Sequence, residues 1–287
     1  MSVTGAPVGR APRAAADPPS LGPGVRGVDG EAHPQQTGRV WEAWAVPVDG
    51  PQVGRWLDRE PRTPLSASTY APAGFARYAR VLHPATVLGR PTRWADVAQE
   101  VGATITAASH WSDVERAAGL AAPADAPRIG PPDLGVLPPE TLALLVDVLA
   151  DHTATPEACC FAFWAGWAHL RGGPAVAPLG ASSPQVRTLT AEERDAPTLH
   201  LPGREYHVVR GALRSAVATA RDDGADAGWY RSPSLIWPQD RQWCISTEVD
   251  LDSTVVGGTE SAVGDVVGCG GLEGFEVGPE QQIAAYA

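Results

Sequence analysis

No lysine and no asparagine occur in this chain, so all 22 of its basic residues are arginine. That bias reads as the codon preference of a GC-rich genome and carries no mechanism. Cysteine is scarce at 4 residues: an adjacent pair, Cys159 and Cys160, and two distant singles, Cys244 and Cys269. This spacing resembles neither a disulfide framework nor a CxxC metal knuckle, and it points to reduced, partly buried thiols. Long hydrophobic runs are missing as well. No stretch is apolar for long enough to span a bilayer, and the opening MSVTGAPVGRAPRAAADPPS lacks the apolar core of a secretory signal, so the expected location is the cytoplasm. Basic residues are outnumbered by 33 acidic ones, giving a formal net charge of -11. Such an acidic protein is not expected to bind nucleic acid or anionic membrane, because both rely on arginine and lysine to neutralise phosphate. The serine elbow G-x-S-x-G, the phosphate loop G-x-x-x-x-G-K and the zinc spacings H-x-x-x-H and H-E-x-x-H are absent too.

What is present suits a globular α+β protein. The chain has 287 residues, 44% of them hydrophobic and 19% charged, enough to bury a substantial core; 31 glycines and 28 prolines promise many turns and long connections. Residues 1–38 are rich in Ala, Pro and Gly without hydrophobic period and read as a disordered tail. An N-terminal lobe is expected over 39–170, a linker or long loop over 171–198 and a C-terminal lobe over 199–287, the two lobes forming either two domains or one. Phe75, Tyr78 and Val81 form a short apolar stretch ending at a His-Pro pair, which keeps His83 extended or in a turn. Thr92 is placed to cap a helix whose Trp94, Val97, Ala98 and Val101 share one face, with Gly102 ending it, and Ser112 and Glu115 have capping-box spacing. Pro138 and Pro139 open the strongest helix, with Leu142, Leu145, Val146 and Leu149 as its stripe. ACCFAFWAGW and REYHVVRG read as strands, GALRSAVATARDD and SAVGDVVG as helices. An antiparallel or mixed sheet with several short helices follows.

The densest motif is WYRSPSLIWPQDRQWCISTEVDLDSTVVGG, residues 229 to 258. From Trp243 the residues alternate. Trp243, Ile245, Thr247, Val249 and Leu251 fall on one side of an extended strand, and Cys244, Ser246, Glu248, Asp250 and Asp252 on the other. The three carboxylates would then line one face about 6.6 Å apart. Carboxylates so placed repel unless water, arginine or a cation neutralises them, which makes Glu248, Asp250 and Asp252 the candidate metal ligands and magnesium or calcium the candidate cofactor. The competing reading is an exposed face paired with Arg241 or Arg231. Trp229, Trp237 and Trp243 either line a ligand pocket or pack a core beneath a loop, with Asp240 and Arg241 beside them as further binding candidates. His83, His110 and His152 stand at element ends, and His83 and His152 are the candidates for ligand or proton-handling roles. His152 and Cys159 could meet as base and nucleophile, although an apolar run raises a thiol pKa. Gly257-Gly258 would either form a turn or leave room for a small anion at the following helix.

The pieces FARYARVLHPA, GVLPPETLALLVDVLADHTATPEACCFAFWAGW and SPSLIWPQDRQWCISTEVDLDSTVVGG resemble a family of actinobacterial hypothetical proteins over most of residues 70 to 280. The likeness implies membership and a cytoplasmic bacterial origin; it brings no reaction, cofactor or catalytic residue. In general character, tryptophan-rich with acidic segments, the chain is also similar to immunity proteins of the SUKH type, which are α+β binding modules.

Two functions are therefore expected. The first is a non-catalytic binding, immunity or regulatory module that engages a protein or small-molecule partner through the acidic strand and the Trp-rich loop. The alternative is a divalent-metal-assisted hydrolase or transferase, with Glu248, Asp250 and Asp252 holding the cation and His152 or His83 moving protons.

Overall fold

The computed structural model describes residues 46–57, 66–119, 129–167, 170, 189–220 and 232–283. The expected tail, Trp229 and Arg231 lie outside them. In chain order the elements are β1 (Val46–Pro47), α1 (Gly50–Gly54), a 3₁₀ turn (Arg55–Leu57), α2 (Ala67–Tyr70), β2 (Arg77–Leu82), β3 (Ala85–Val87), β4 (Arg90–Thr92), α3 (Trp94–Glu100), α4 (Trp111–Ala118), β5 (Ile129–Gly130) and α5 (Pro139–Ala150). There follow β6 (Cys159–Trp164), α6 (Ala191–Asp195), β7 (Leu199–Leu201), β8 (Arg204–Gly211), α7 (Ser215–Ala220), β9 (Leu235–Pro238), β10 (Cys244–Ser246), β11 (Ser253–Gly258), α8 (Glu260–Gly268) and β12 (Gly274–Val277). The chain is α+β, as expected, and every strand pair among the described residues is antiparallel.

Nine strands make one sheet in the order β1-β8-β6-β9-β10-β11-β2-β12, with β7 beside β8; β4-β3-β5 make a second, small sheet. Strands from both expected lobes thus share the large sheet. Of the expected linker, residues 189–198 are described and contain α6, whose Thr190 hydroxyl accepts from the Glu193 N–H while the Glu193 carboxylate accepts from the Thr190 N–H.

Alternation along the strands gives the large sheet two buried faces. Ala79, Val81, Phe161, Val209, Ile236, Ile245 and Val256 pack under α5, α7 and α8. The other face carries Cys160, Ala162, Val208, Leu235, Trp237 and Cys244, covered by Val53, Trp56 and Leu57 of α1 and the 3₁₀ turn, and next to them Tyr78 and Val255 meet α2. The leucine stripe of α5 is buried as its spacing required. Among the described residues, no helix is long and apolar enough to cross a membrane.

Local capping differs from the sequence reading in two places. Thr92 closes β4 instead of capping α3; the buried Glu273 carboxylate does so from across the chain, accepting from the Trp94 and Ala95 N–H groups at 2.6 and 2.8 Å. Helix α4 starts one residue before Ser112: Asp113 accepts from the His110 N–H, and Glu115 is taken up by the Trp111 indole. Gly102, at φ 72°, ends α3 as expected.

Candidate functional site

The strand expected from Trp243 to Asp252 ends at Ser246. Residues 247–252 turn instead, closed by the Leu251 N–H donating to the Glu248 carbonyl, and the chain returns as β11. Alternation within β10 buries both faces, since Trp243, Cys244, Ile245, Ser246 and Thr247 are all buried. Glu248, Asp250 and Asp252 consequently sit around a hairpin loop, not along one face of a strand.

Arginines other than those expected neutralise them. The Arg204 guanidinium, at the start of β8, donates from Nε and Nη2 to Glu248 Oε1 at 2.9 and 2.7 Å and from Nη2 to Asp250 Oδ2 at 2.7 Å. Its central carbon lies over the Trp164 ring, 5.5 Å from the centroid. Burial lowers the Arg204 pKa, but the two carboxylates outweigh it and hold the guanidinium above its ordinary value. Asp252 belongs to a different centre. Arg80, fully buried in β2, donates to Asp252 Oδ1 at 3.3 Å, to Ser253 Oγ at 2.9 Å and to the Ala107 and Ser109 carbonyls at 3.0 and 2.8 Å. Two guanidiniums thus divide the three carboxylates, and no group of three or more His, Cys, Asp or Glu side chains gathers as a metal site among the described residues. The expected magnesium or calcium set is not assembled.

The histidines and thiols are structural in their contacts. His83 is fully buried, with Nδ1 2.8 Å from the Asp133 carbonyl and Nε2 2.9 Å from Thr254 Oγ1; burial lowers its pKa, against the pull of the Asp133 carbonyl and Asp252. The ring of His152 bonds Asp265 at 2.8 Å, and the Cys159 thiol points at the Thr155 and Pro156 carbonyls. Burial pushes the Cys159 pKa up to about 12, in keeping with the apolar run, and His152 is taken up by Asp265, so the two make no base–nucleophile pair.

Trp237 and Trp243 are core residues and not pocket walls: the Trp243 indole donates to the Leu149 carbonyl at the end of α5, and Trp237 meets Trp56 edge-on at 6.3 Å. Asp240 is a buttress. Its carboxylate accepts from the Thr153 hydroxyl and the Ala154 N–H, tying the β9–β10 turn to the turn after α5. Next to it, Arg241 adopts a left-handed backbone (φ 58°) and lays its guanidinium 5.5 Å over the Trp56 ring. Gly257 and Gly258 lie inside β11, opposite Tyr78 and Arg77, so they form no turn; Thr259 caps α8 by accepting from the Ala262 N–H.

Sequence reasoning missed Arg204, Trp164, Arg80 and Trp56. Only Arg80 left a local trace: it stands between Tyr78 and Leu82 on one face of an apolar strand, where a charge must bring its own partner. A scan of protein-family models, a search of curated proteins and a search of solved structures each returned no match.

Proposed function

We propose that the protein is a non-catalytic binding module, of immunity or regulatory type, whose contact surface is the β10–β11 hairpin loop with Arg204 and Trp164. One observation carries this reading. A single guanidinium serves two carboxylates there, which leaves a net negative charge on a loop fixed from three sides, with Asp250 exposed at its tip. The Thr247 and Gly135 backbone bonds to Ser234 and Leu251 hold that loop in place. An acidic loop tethered by backbone bonds and flanked by an Arg–Trp cation–π pair suits a basic protein partner, because Arg and Trp are enriched where binding energy concentrates and a tethered loop has less ordering entropy to lose. The net charge of -11 turns the same surface away from nucleic acid. Four free thiols fit a reducing cytoplasm, and the likeness in character to SUKH-type immunity proteins points the same way. The metal-assisted alternative finds no support in the arrangement, since the arginines occupy the carboxylates it requires.

The test is affinity capture from the native host with wild-type and Asp250→Asn baits, the latter checked for an unchanged melting temperature. A partner held by wild type, released by added salt and lost with Asp250→Asn supports the reading. Partners indifferent to both salt and the substitution would remove it.

A further inference from the structure

We propose that Arg210, Arg241 and the Trp56 indole N–H form a second, separate site that binds a phosphate or small phosphate-monoester group. The sheet register brings its parts together. Arg210, Cys160, Trp237 and Cys244 are cross-strand neighbours in one row on the same face. Trp56 packs on Trp237 from the overlying 3₁₀ turn, and Arg241 lies on Trp56. The Cys160 thiol reports both cations: burial raises its pKa, while Arg210 beside it and Arg241 farther off pull it down.

Three features of this cluster point to an anion. First, neither arginine is paired with a carboxylate among the described residues, in a chain with 33 acidic residues for 22 arginines. Elsewhere on the sheet, Arg80 and Arg204 are both engaged by carboxylates. Second, Arg210 Nε and Trp56 Nε1 are buried donors with no acceptor; native proteins rarely leave such groups unmatched, and each one asks for an explanation. Third, Arg241 is exposed and stands at the solvent margin of the cluster, over the ring that carries the buried Trp56 Nε1. Two guanidiniums match the charge of a phosphate monoester at neutral pH, and planar guanidinium and indole donors suit its oxygens. Neither Glu248 nor Asp250 takes part, so this inference stands apart from the hairpin reading.

Calorimetric titration of the full-length protein with inorganic phosphate at constant ionic strength tests it. Wild type and Arg116→Gln, an exposed control in α4, should bind one phosphate saturably. Arg241→Gln and Arg210→Gln should weaken binding about tenfold or more, and Trp56→Phe, which removes the N–H and leaves a smaller aromatic ring, by a few fold. Arg241→Gln changes an exposed residue and leaves Arg210 and Trp56 in place, so it decides the matter even if Arg210→Gln or Trp56→Phe folds poorly. No saturable binding to wild type, or equal affinity in wild type, Arg241→Gln and Trp56→Phe, would overturn the proposal.

Discussion

Arg80 and His83 lose all contact with solvent on the same stretch of chain, and chemistry gives them different charge states. A guanidinium stays protonated, so Arg80 is buried as a cation and satisfied by Asp252, Ser253 and two carbonyls. An imidazole can shed its charge. Because the Asp133 carbonyl only accepts, His83 Nδ1 carries the proton and Nε2 accepts from the Thr254 hydroxyl; the Thr254 oxygen then accepts from Thr247, 2.8 Å away. The three-residue chain has one direction, set by a neutral ring. Its pKa lies below 6.5 in the folded state and near 6.5 in the unfolded chain. In the interval just below 6.5 the unfolded state binds more protons, so stability should be fully present above that pH and decline as pH falls through the interval. Urea unfolding between about pH 5 and about pH 8 should show the decline in wild type and a flatter profile in His83→Gln; identical profiles would reassign the effect.

At the scale of elements, the hairpin loop depends on a strap that crosses it. Gly135, at φ 70°, brings its Cα so close to Val249 that an added Cβ would lie 2.4 Å from that residue's backbone. Gly135→Ala should therefore destabilise the protein by about 1–3 kcal/mol, from the left-handed backbone and from overpacking together. Denaturant unfolding measures the loss, and a change under about 0.5 kcal/mol would mean that strap and loop separate freely. The same loop shows what the sequence could and could not disclose. Helix α5 and strands β6 and β8 were legible because their periodicity is local and their burial follows from it. The end of β10 was not: Ser246 and Glu248 continue the alternation, and only the turn closed by Leu251 stops the strand. Nor could Arg204 be matched to Glu248, since the two meet through the order of strands in the sheet. Glu273 likewise caps α3 from a position 179 residues away from Trp94, beyond the reach of any local capping rule.

The whole molecule should unfold as one unit over its described part, because residues 40–287 cluster together and strands from both expected lobes alternate in one sheet. Tryptophan fluorescence and far-ultraviolet circular dichroism should give coincident thermal transitions, and two separated midpoints would show that the lobes melt independently. The position of β2 has a consequence for synthesis. It lies between β11 and β12, with Leu82 opposite Ser253. The ribosome therefore releases β2 roughly 170 residues before its first partner strand exists, on the order of ten to thirty seconds at ordinary elongation rates. Through that interval a nascent chain carries Tyr78, Val81 and Leu82 with both edges of the strand unpaired, and a transcript cut short before β11 leaves them so permanently. Quality control on this protein would act chiefly on incomplete chains, and its aggregation should track premature termination more closely than heat.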